Sequence, residues 1–205
     1  QSAGTFGLSG SFSFYPAKVI GCFGDGGAVI TNSKEMFDQI FLTRDHGRAK
    51  IGEIVTWGMN SRLDNLQAAI LDFKLSKYQK DIDRRRKIAS LYEDGLKDVK
   101  EIVLPRSPDL DKDKYEIYQN YEIELVDSKL RDKFRDFLSK QNIGTILQWG
   151  GKAVHEFEGL NFNISLPFTE DLMRRSLLIP MNTSLSNDDI GYIIQKIRKY
   201  FGYEK

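Results

Sequence analysis

Between Ser11 and Tyr15 polar and apolar residues alternate: Ser11, Ser13 and Tyr15 are separated by Phe12 and Phe14. That period of two predicts a strand. Pro16 cannot donate to a ladder, so the strand is expected to stop there and leave Lys18 in the turn that follows. Gly24, Gly26 and Gly27 predict a second turn, because glycine tolerates positive φ and close backbone approach. Ala28, Val29 and Ile30 then read as a short buried strand.

The period changes after Thr31. Met36, Phe37, Ile40 and Phe41 fall on one helical face, with Thr31, Asn32 and Ser33 as cap candidates and Gly47 as the expected stop. Residues 48–57 read as a flexible loop. Asp64 opens a second helical pattern carrying Leu66, Ile70 and Phe73, which runs to about Leu96 with a break near Ser76. Gly95 weakens its end.

From Glu101 the character shifts again. Pro105, Ser107 and Pro108 mark a loop, and residues 109–114 a charged, solvated turn. Residues 121–125 alternate as a strand. Asp127 or Ser128 caps a helix through Lys140 with Leu130, Phe134, Phe137 and Leu138 on its apolar side. Residues 143–149 and 177–181 predict two more strands. Ser186 and Asp189 form a near capping box ahead of Ile190, Ile193, Ile194, Ile197 and Phe201. The order strand, helix, strand, strand, helix predicts a small α/β unit after the long helix. The division is expected at residues 1–85 and 86–205.

Composition excludes several classes. Thirty basic and 29 acidic residues give a net charge of +1, so neither a nucleic-acid footprint nor an anionic membrane surface is indicated. The cluster Arg84, Arg85, Arg86 and Lys87 is balanced by Asp81, Asp83, Glu93 and Asp94 and reads as a solvated helix face. No apolar run has the length of a membrane span, and the first residues lack the basic and apolar regions of a signal peptide. A single cysteine, Cys22, excludes an internal disulfide, fits a reducing cytosol and reads as a small core residue. Two histidines, His46 and His155, and one cysteine give no metal-ligand spacing. Asp109, Asp111 and Asp113 imitate a cation loop but lack its glycine and terminal glutamate. Gly150, Gly151 and Lys152 lack the spacing and context of a P-loop.

The candidate chemistry centres on Lys18. A lone lysine is usually a solvated charge. Here two aromatic residues and a proline precede it, and Val19 and Ile20 follow. Partial desolvation disfavours an ammonium and frees the amine that Schiff-base chemistry requires. Asn60 and Ser61 offer hydrogen bonds, and Arg62 a fork for phosphate or carboxylate. On the residues alone, Asn60 is equally a turn residue and Arg62 a surface ion pair. His46 is a candidate substrate contact, though a loop histidine is more often merely exposed.

Two long blocks carry a resemblance. The run from Ser11 to Lys18, followed by Gly24, Asp25, Gly26, Gly27 and Ala28, resembles the cofactor-lysine segment of the DegT-type nucleotide-sugar aminotransferases, fold-type-I enzymes dependent on pyridoxal phosphate. The run from Gly58 to Leu71 resembles the same family at the expected distance downstream. The resemblance implies that Lys18 holds the cofactor and that Ser13 contacts its phosphate. It implies that Asn60 contacts the phosphate bound in a neighbouring subunit of a homodimer, and that Arg62 lies near the substrate entrance. Gln1 matches the family's glutamine three residues after the aspartate paired with the pyridine nitrogen. The chain is therefore expected to be the C-terminal part of a longer cytoplasmic enzyme: the remainder of a large mixed-sheet cofactor domain followed by a small α/β domain.

Implied substrates are a nucleotide-linked keto-sugar and an amino donor, with glutamate expected, in surface-polysaccharide or antibiotic sugar synthesis. Lys18 favours transamination, since related dehydratases carry histidine there. Where many relatives have a histidine-tyrosine pair lining the sugar site, this chain has Gln148 and Trp149. The alternative expectation is a catalytically silent domain with a binding or self-association role.

Overall fold

The computed structural model describes residues 1–49, 52–108, 110 and 113–203. Two compact units divide the chain at Gln79 and Lys80. The boundary read from the sequence, after residue 85, lies a few residues further along the same helix.

Unit one, Gln1–Gln79, contains β1 (Ser9–Ser13), β2 (Gly27–Thr31), α1 (Lys34–Thr43) and α2 (Asn65–Leu75). β1 and β2 pair antiparallel, with Ser11 opposite Val29 and Phe12 opposite Ala28. The expected burial of β2 is not found: Val29 and Ile30 are 47% and 40% exposed. A two-stranded ribbon has no second layer here, and among the described hydrophobic residues of this unit only Cys22 and Leu71 are buried. Ser33 caps α1, its hydroxyl accepting the Met36 N–H at 3.2 Å. α2 ends at Ser76, where the sequence predicts the break.

The expected loose loop after α1 is a paired excursion instead. Asp45 bridges Asn60 and Arg48 bridges Ile54; the Met59 N–H reaches the Thr43 carbonyl at 2.8 Å and the Ser61 N–H the Arg44 carbonyl at 2.9 Å. Two glycines make this possible. Gly47 has φ +70°, and a Cβ there would stand 1.8 Å from the Thr56 carbonyl oxygen; a Cβ on Gly58 would stand 2.1 Å from the Gly47 nitrogen.

Unit two, Lys80–Lys205, takes in most of α3 (Tyr78–Leu96) and holds the packed core. Its sheet is antiparallel in the order β3 (Ile102–Val103), β4 (Tyr121–Leu125), β5 (Ser176–Ile179). Tyr121, Ile123 and Leu125 are buried at every second position of β4, as a period of two requires. Three helices complete the core: Ile88, Tyr92 and Leu96 from α3, Phe134 and Leu138 from α4 (Ser128–Lys140), and Ile190, Ile193 and Ile197 from α6 (Asn187–Tyr200). Asp127 caps α4. Ser186 and Asp189 close the capping box of α6 in both directions. Gly95 serves packing: a Cβ there would stand 2.7 Å from the Ile194 side chain. Burial pushes the Tyr92 and Tyr121 phenols far above their ordinary range, and the Tyr92 hydroxyl donates to the Pro180 carbonyl at 2.7 Å.

Three expectations are corrected in this unit. The strand predicted at 143–149 is a single bridge, Ile146 to Leu178, leading into a short 3-10 turn at Gln148–Gly151. Trp149 and Gly150 there are left-handed, a conformation no ladder continues. A helix that periodicity did not reveal, α5 (Pro167–Arg175), starts on Pro167 in its first turn and runs directly into β5. The arginine cluster is not a solvated face. Arg84 donates to the Leu185 carbonyl, Arg85 to those of Tyr118, Gln119 and Met181, and Arg86 to those of Glu116 and Pro108. Of the acidic triplet, Asp109 and Asp111 lie outside the described residues.

Candidate active site

The chain around Lys18 is a closed turn fixed by its own backbone. Phe14 extends the β1–β2 pairing by one bond, its N–H meeting the Gly26 carbonyl at 2.8 Å. The Lys18 N–H then donates to the Tyr15 carbonyl at 2.8 Å, closing a four-residue turn over Pro16, and the Cys22 N–H returns to the Phe14 carbonyl at 2.8 Å. A Cβ at Gly21 would stand 2.6 Å from the carbonyl oxygens of both Tyr15 and Pro16, so the return path requires glycine. Cys22 is fully buried and its sulfur lies 3.0 Å from the Phe14 carbonyl oxygen. This is the structural cysteine read from the sequence.

α2 pins the same turn. Gln67 accepts the Phe23 N–H at 2.8 Å, and the Lys74 ammonium donates to the Gly21 carbonyl. Lys18 itself is half-buried, and among the described residues its side chain makes no hydrogen bond or ion pair. The neighbouring lysine is occupied while Lys18 is held on a rigid turn with its amine available. Ser13 is exposed at the end of β1; its hydroxyl accepts the Tyr15 N–H at 3.3 Å.

Unit one also carries an open groove of about 880 Å³. β1 and β2 line it with Ser11, Phe12 and Val29, and α1 with Phe37 and Phe41 and its C-cap residue Arg44; Asn60, Ser61 and Arg62 lie on the rim. Arg62 Nη2 donates to Asn60 Oδ1 at 3.3 Å, and its Nε lies 3.6 Å from Asp45 Oδ1. With its oxygen turned to Arg62, Asn60 keeps its amide N–H groups for another acceptor. An amide donor beside two guanidinium groups suits an anion with several oxygens, such as a phosphate or carboxylate.

The structure thus brings Asn60 and Arg62 together. Lys18, Ser13 and Gln1 do not line the groove. Gln1 is exposed and donates only to the nearby Thr5 carbonyl. His46 is exposed, with left-handed φ of 58° and its N–H on the Met59 carbonyl. In unit two Gln148 is half-buried and Trp149 is 78% exposed. Sequence reading missed Asp45 as the partner of Arg62, and a buried pair, His155 Nε2 to Glu170 Oε1 at 3.1 Å. Both pairs join residues 15 or more positions apart, across a distance where no helical or strand period applies. Among the described residues no group of three His, Cys, Asp or Glu side chains is arranged to hold a metal. No described helix is long and apolar enough to cross a membrane.

The DegT/DnrJ/EryC1/StrS aminotransferase family matches residues 1–198. The chain belongs to that family. A dTDP-3-amino-3,6-dideoxy-alpha-D-galactopyranose transaminase of Aneurinibacillus thermoaerophilus is 34% identical over 208 residues, covering 99% of this chain and 54% of the relative. A pleiotropic regulatory protein of Geobacillus stearothermophilus is 31% identical over 98% of this chain and 54% of its own length. Among solved structures, a DegT/DnrJ/EryC1/StrS aminotransferase from Brucella abortus superimposes with a TM-score of 0.86 at 34% identity, over 97% of this chain and 52% of that one. DesV of S. venezuelae, solved in complex with a ketimine intermediate, gives 0.88 at 29% identity over 97% of this chain and 53% of its own. The expected fold class, part of a mixed α/β aminotransferase of the DegT type, is borne out. The chain spans about half the length of the curated relatives it matches.

Proposed function

We propose that this chain is the cofactor-lysine half of a pyridoxal-phosphate-dependent aminotransferase acting on a nucleotide-linked keto-sugar, with glutamate as amino donor. The observation that carries the reading is the Lys18 turn: a glycine-dependent, hydrogen-bonded loop presenting one lysine whose amine has no partner among the described residues, beside a second lysine that has one. Family membership supports the reaction class.

The donor set fits the cofactor. Lys18 Nζ is a primary amine for its aldehyde, the Ser13 hydroxyl is a donor for its phosphate, and Asn60 with Arg62 forms an anion-binding rim. Pyridoxal phosphate, when bound, supplies the electron sink. Lys18 would hold it; its freed Nζ would take a proton from the carbon bearing the donor's amino group and return it nearby. Asn60 would reach a phosphate in a second copy of the chain, which makes the enzyme a homodimer with shared sites. Arg62, Gln148 and Trp149 would contact substrate, and Gln1 would sit at the cofactor's edge. Residues 1–79 belong in this reading to the large cofactor domain and 80–205 to the small one. A cytoplasmic location and a role in making surface-polysaccharide or antibiotic sugars complete it.

A second reading is favoured by one observation. Unit one exposes Phe12, Val29, Phe37 and Phe73 and buries few hydrophobic residues, so these 205 residues without further chain would be a silent, self-associating domain. Borohydride reduction with pyridoxal phosphate, followed by peptide mapping, separates the two. A pyridoxyl adduct on Lys18 in the full-length protein, absent from Lys18→Ala, is the expected result. No adduct there overturns the aminotransferase reading. An adduct in the full-length protein but not in this chain alone assigns the silent state to the isolated half only.

A further inference from the structure

One oxygen organises the loop between Gln148 and α5. Glu170 Oε1 accepts the Leu166 N–H at 2.8 Å, the Ser165 hydroxyl at 3.2 Å and His155 Nε2 at 3.1 Å. Residues 155 and 166 are the entry and exit of an excursion that exposes Leu160, Phe162 and Ile164, so a single carboxylate closes its neck. His155 is 7% exposed. Its Nε2 faces a carboxylate and therefore carries the proton, while its buried Nδ1 has no hydrogen-bond partner among the described residues. The bond to Glu170 is the polar interaction that accounts for a buried histidine at this position.

Just before His155 the backbone is strained. Trp149, Gly150 and Gly151 are consecutively left-handed, with φ of 49°, 70° and 79°. An aromatic residue rarely adopts that conformation, and such outliers persist where the surroundings over-determine them, characteristically at ligand sites. The surroundings here are specific. Upstream, Ile146 and Leu178 exchange both backbone bonds, at 3.1 and 2.9 Å. At Gly151, a Cβ would meet Arg131 Nη1 at 2.9 Å, and that nitrogen is fixed by the Met173 carbonyl at 2.9 Å. Downstream, the Ala153 N–H donates to Glu156 at 2.7 Å and His155 locks onto α5. Between these anchors Trp149 projects into solvent.

We propose that His155 and Glu170 are positioning residues that brace the Gln148–Trp149 tip in the left-handed conformation that receives the nucleotide-linked sugar. The indole supplies a flat face for a sugar or base ring, and the Gln148 amide bonds to hydroxyls. The identity of the ligand rests on the aminotransferase reading; the brace itself does not.

The test uses the full-length protein labelled with 5-fluorotryptophan, the Trp149 resonance being assigned by its loss in Trp149→Phe. His155→Phe and Glu170→Ala should shift or broaden that resonance and weaken its response to dTDP-glucose and UDP-N-acetylglucosamine by about tenfold, less than the roughly hundredfold that a full ångström of misplacement can cost. Glu170→Gln keeps an acceptor oxygen and should restore both. In the two half-reactions, the variants should raise the KM for keto-sugar and leave cofactor conversion by glutamate unchanged. An undisturbed Trp149 resonance with wild-type affinity in His155→Phe overturns the inference, as does an equal loss in both half-reactions. A wild-type protein that converts no cofactor with any amino donor counts against the aminotransferase reading alone, because the resonance still reports the brace. A wild-type protein that reacts with glutamate yet binds neither nucleotide sugar at Trp149 sinks the inference and spares the reading.

Discussion

Arg85 Nη1 lies 3.1 Å from the carbonyl oxygen of Met181, and the same nitrogen is 3.0 Å from the carbonyls of both Tyr118 and Gln119. One guanidinium therefore ties α3 to Met181, two residues past the end of β5, and to the approach to β4. Hydrogen bonds from charged donors to half-buried carbonyls are stronger than neutral ones. Arg85→Ala should cost about 2–3 kcal/mol in urea unfolding. Arg85→Lys keeps the charge on a single nitrogen and should recover part of that loss, because it lacks the planar fork. Equal stability of all three proteins would show that water replaces the guanidinium at these carbonyls.

The Lys18 turn makes a prediction linking backbone to chemistry. Gly21→Ala places a methyl group against two carbonyl oxygens, with no flexible side chain to yield. The turn must open, at a cost of about 1–3 kcal/mol by analogy with overpacking. Lys18 should then lose its fixed position, and borohydride trapping with pyridoxal phosphate should fall with it. Gly144→Ala, where a Cβ meets nothing within 4 Å, is the control and should trap normally. Normal trapping in Gly21→Ala would mean that the turn does not hold the lysine for the cofactor.

These residues also show how far the sequence could be read. The helices of unit two were legible because their apolar stripes face one core: Phe134 and Leu138, or Ile190, Ile193 and Ile197, are buried at helical spacing. Caps at Ser33, Asp127 and Ser186 were legible because capping is local chemistry. The buried fate assigned to Val29 and Ile30 failed because burial depends on a neighbouring layer, which no local pattern records. The arginine cluster was misread for the same reason: its acceptors are carbonyls up to 101 positions away. Of the site, the Lys18 turn and the Asn60–Arg62 pair were legible as motifs. The His155–Glu170 neck was not, since its two members share no element and no period.

Acid titration tests two capped helix starts together. Hydrogen bonds, chiefly from His155 and the Leu166 N–H, hold the Glu170 carboxyl below the usual carboxylate range, and those from the Ser186 hydroxyl and N–H do the same for Asp189. A carboxyl lowered by folding contributes stability that is complete above the unfolded value and is lost as pH falls through the folded one. The urea midpoint should therefore decline on the acid side of the ordinary carboxylate range. Glu170→Gln and Asp189→Asn should each lower the midpoint near neutrality, where the carboxylate's contribution is complete, and make the acid decline shallower. An unchanged acid limb in both variants would assign the loss to other carboxyls.

Asn60 offers the sharpest test of a shared site. If it completes the site of a second copy, the two lesions of a mixed Lys18→Ala and Asn60→Ala dimer fall in one site and leave the other intact. In a heterodimer, the Lys18 of the Asn60→Ala chain meets the intact Asn60 of the other chain, and one of two sites is whole. Random pairing makes half of the dimers mixed, so the mixture should regain about a quarter of wild-type transaminase activity in a closed two-fold assembly. Either variant alone should stay inactive or strongly impaired. If Asn60 instead serves the Lys18 of its own chain, every site in the mixture carries a lesion and no activity returns. Rotating Arg62 away gives a further check: Arg62→Ala removes the partner of Asn60 Oδ1 without removing its amide donors. It should weaken phosphate binding less than Asn60→Ala does, as read by the dissociation of pyridoxal phosphate from the full-length protein.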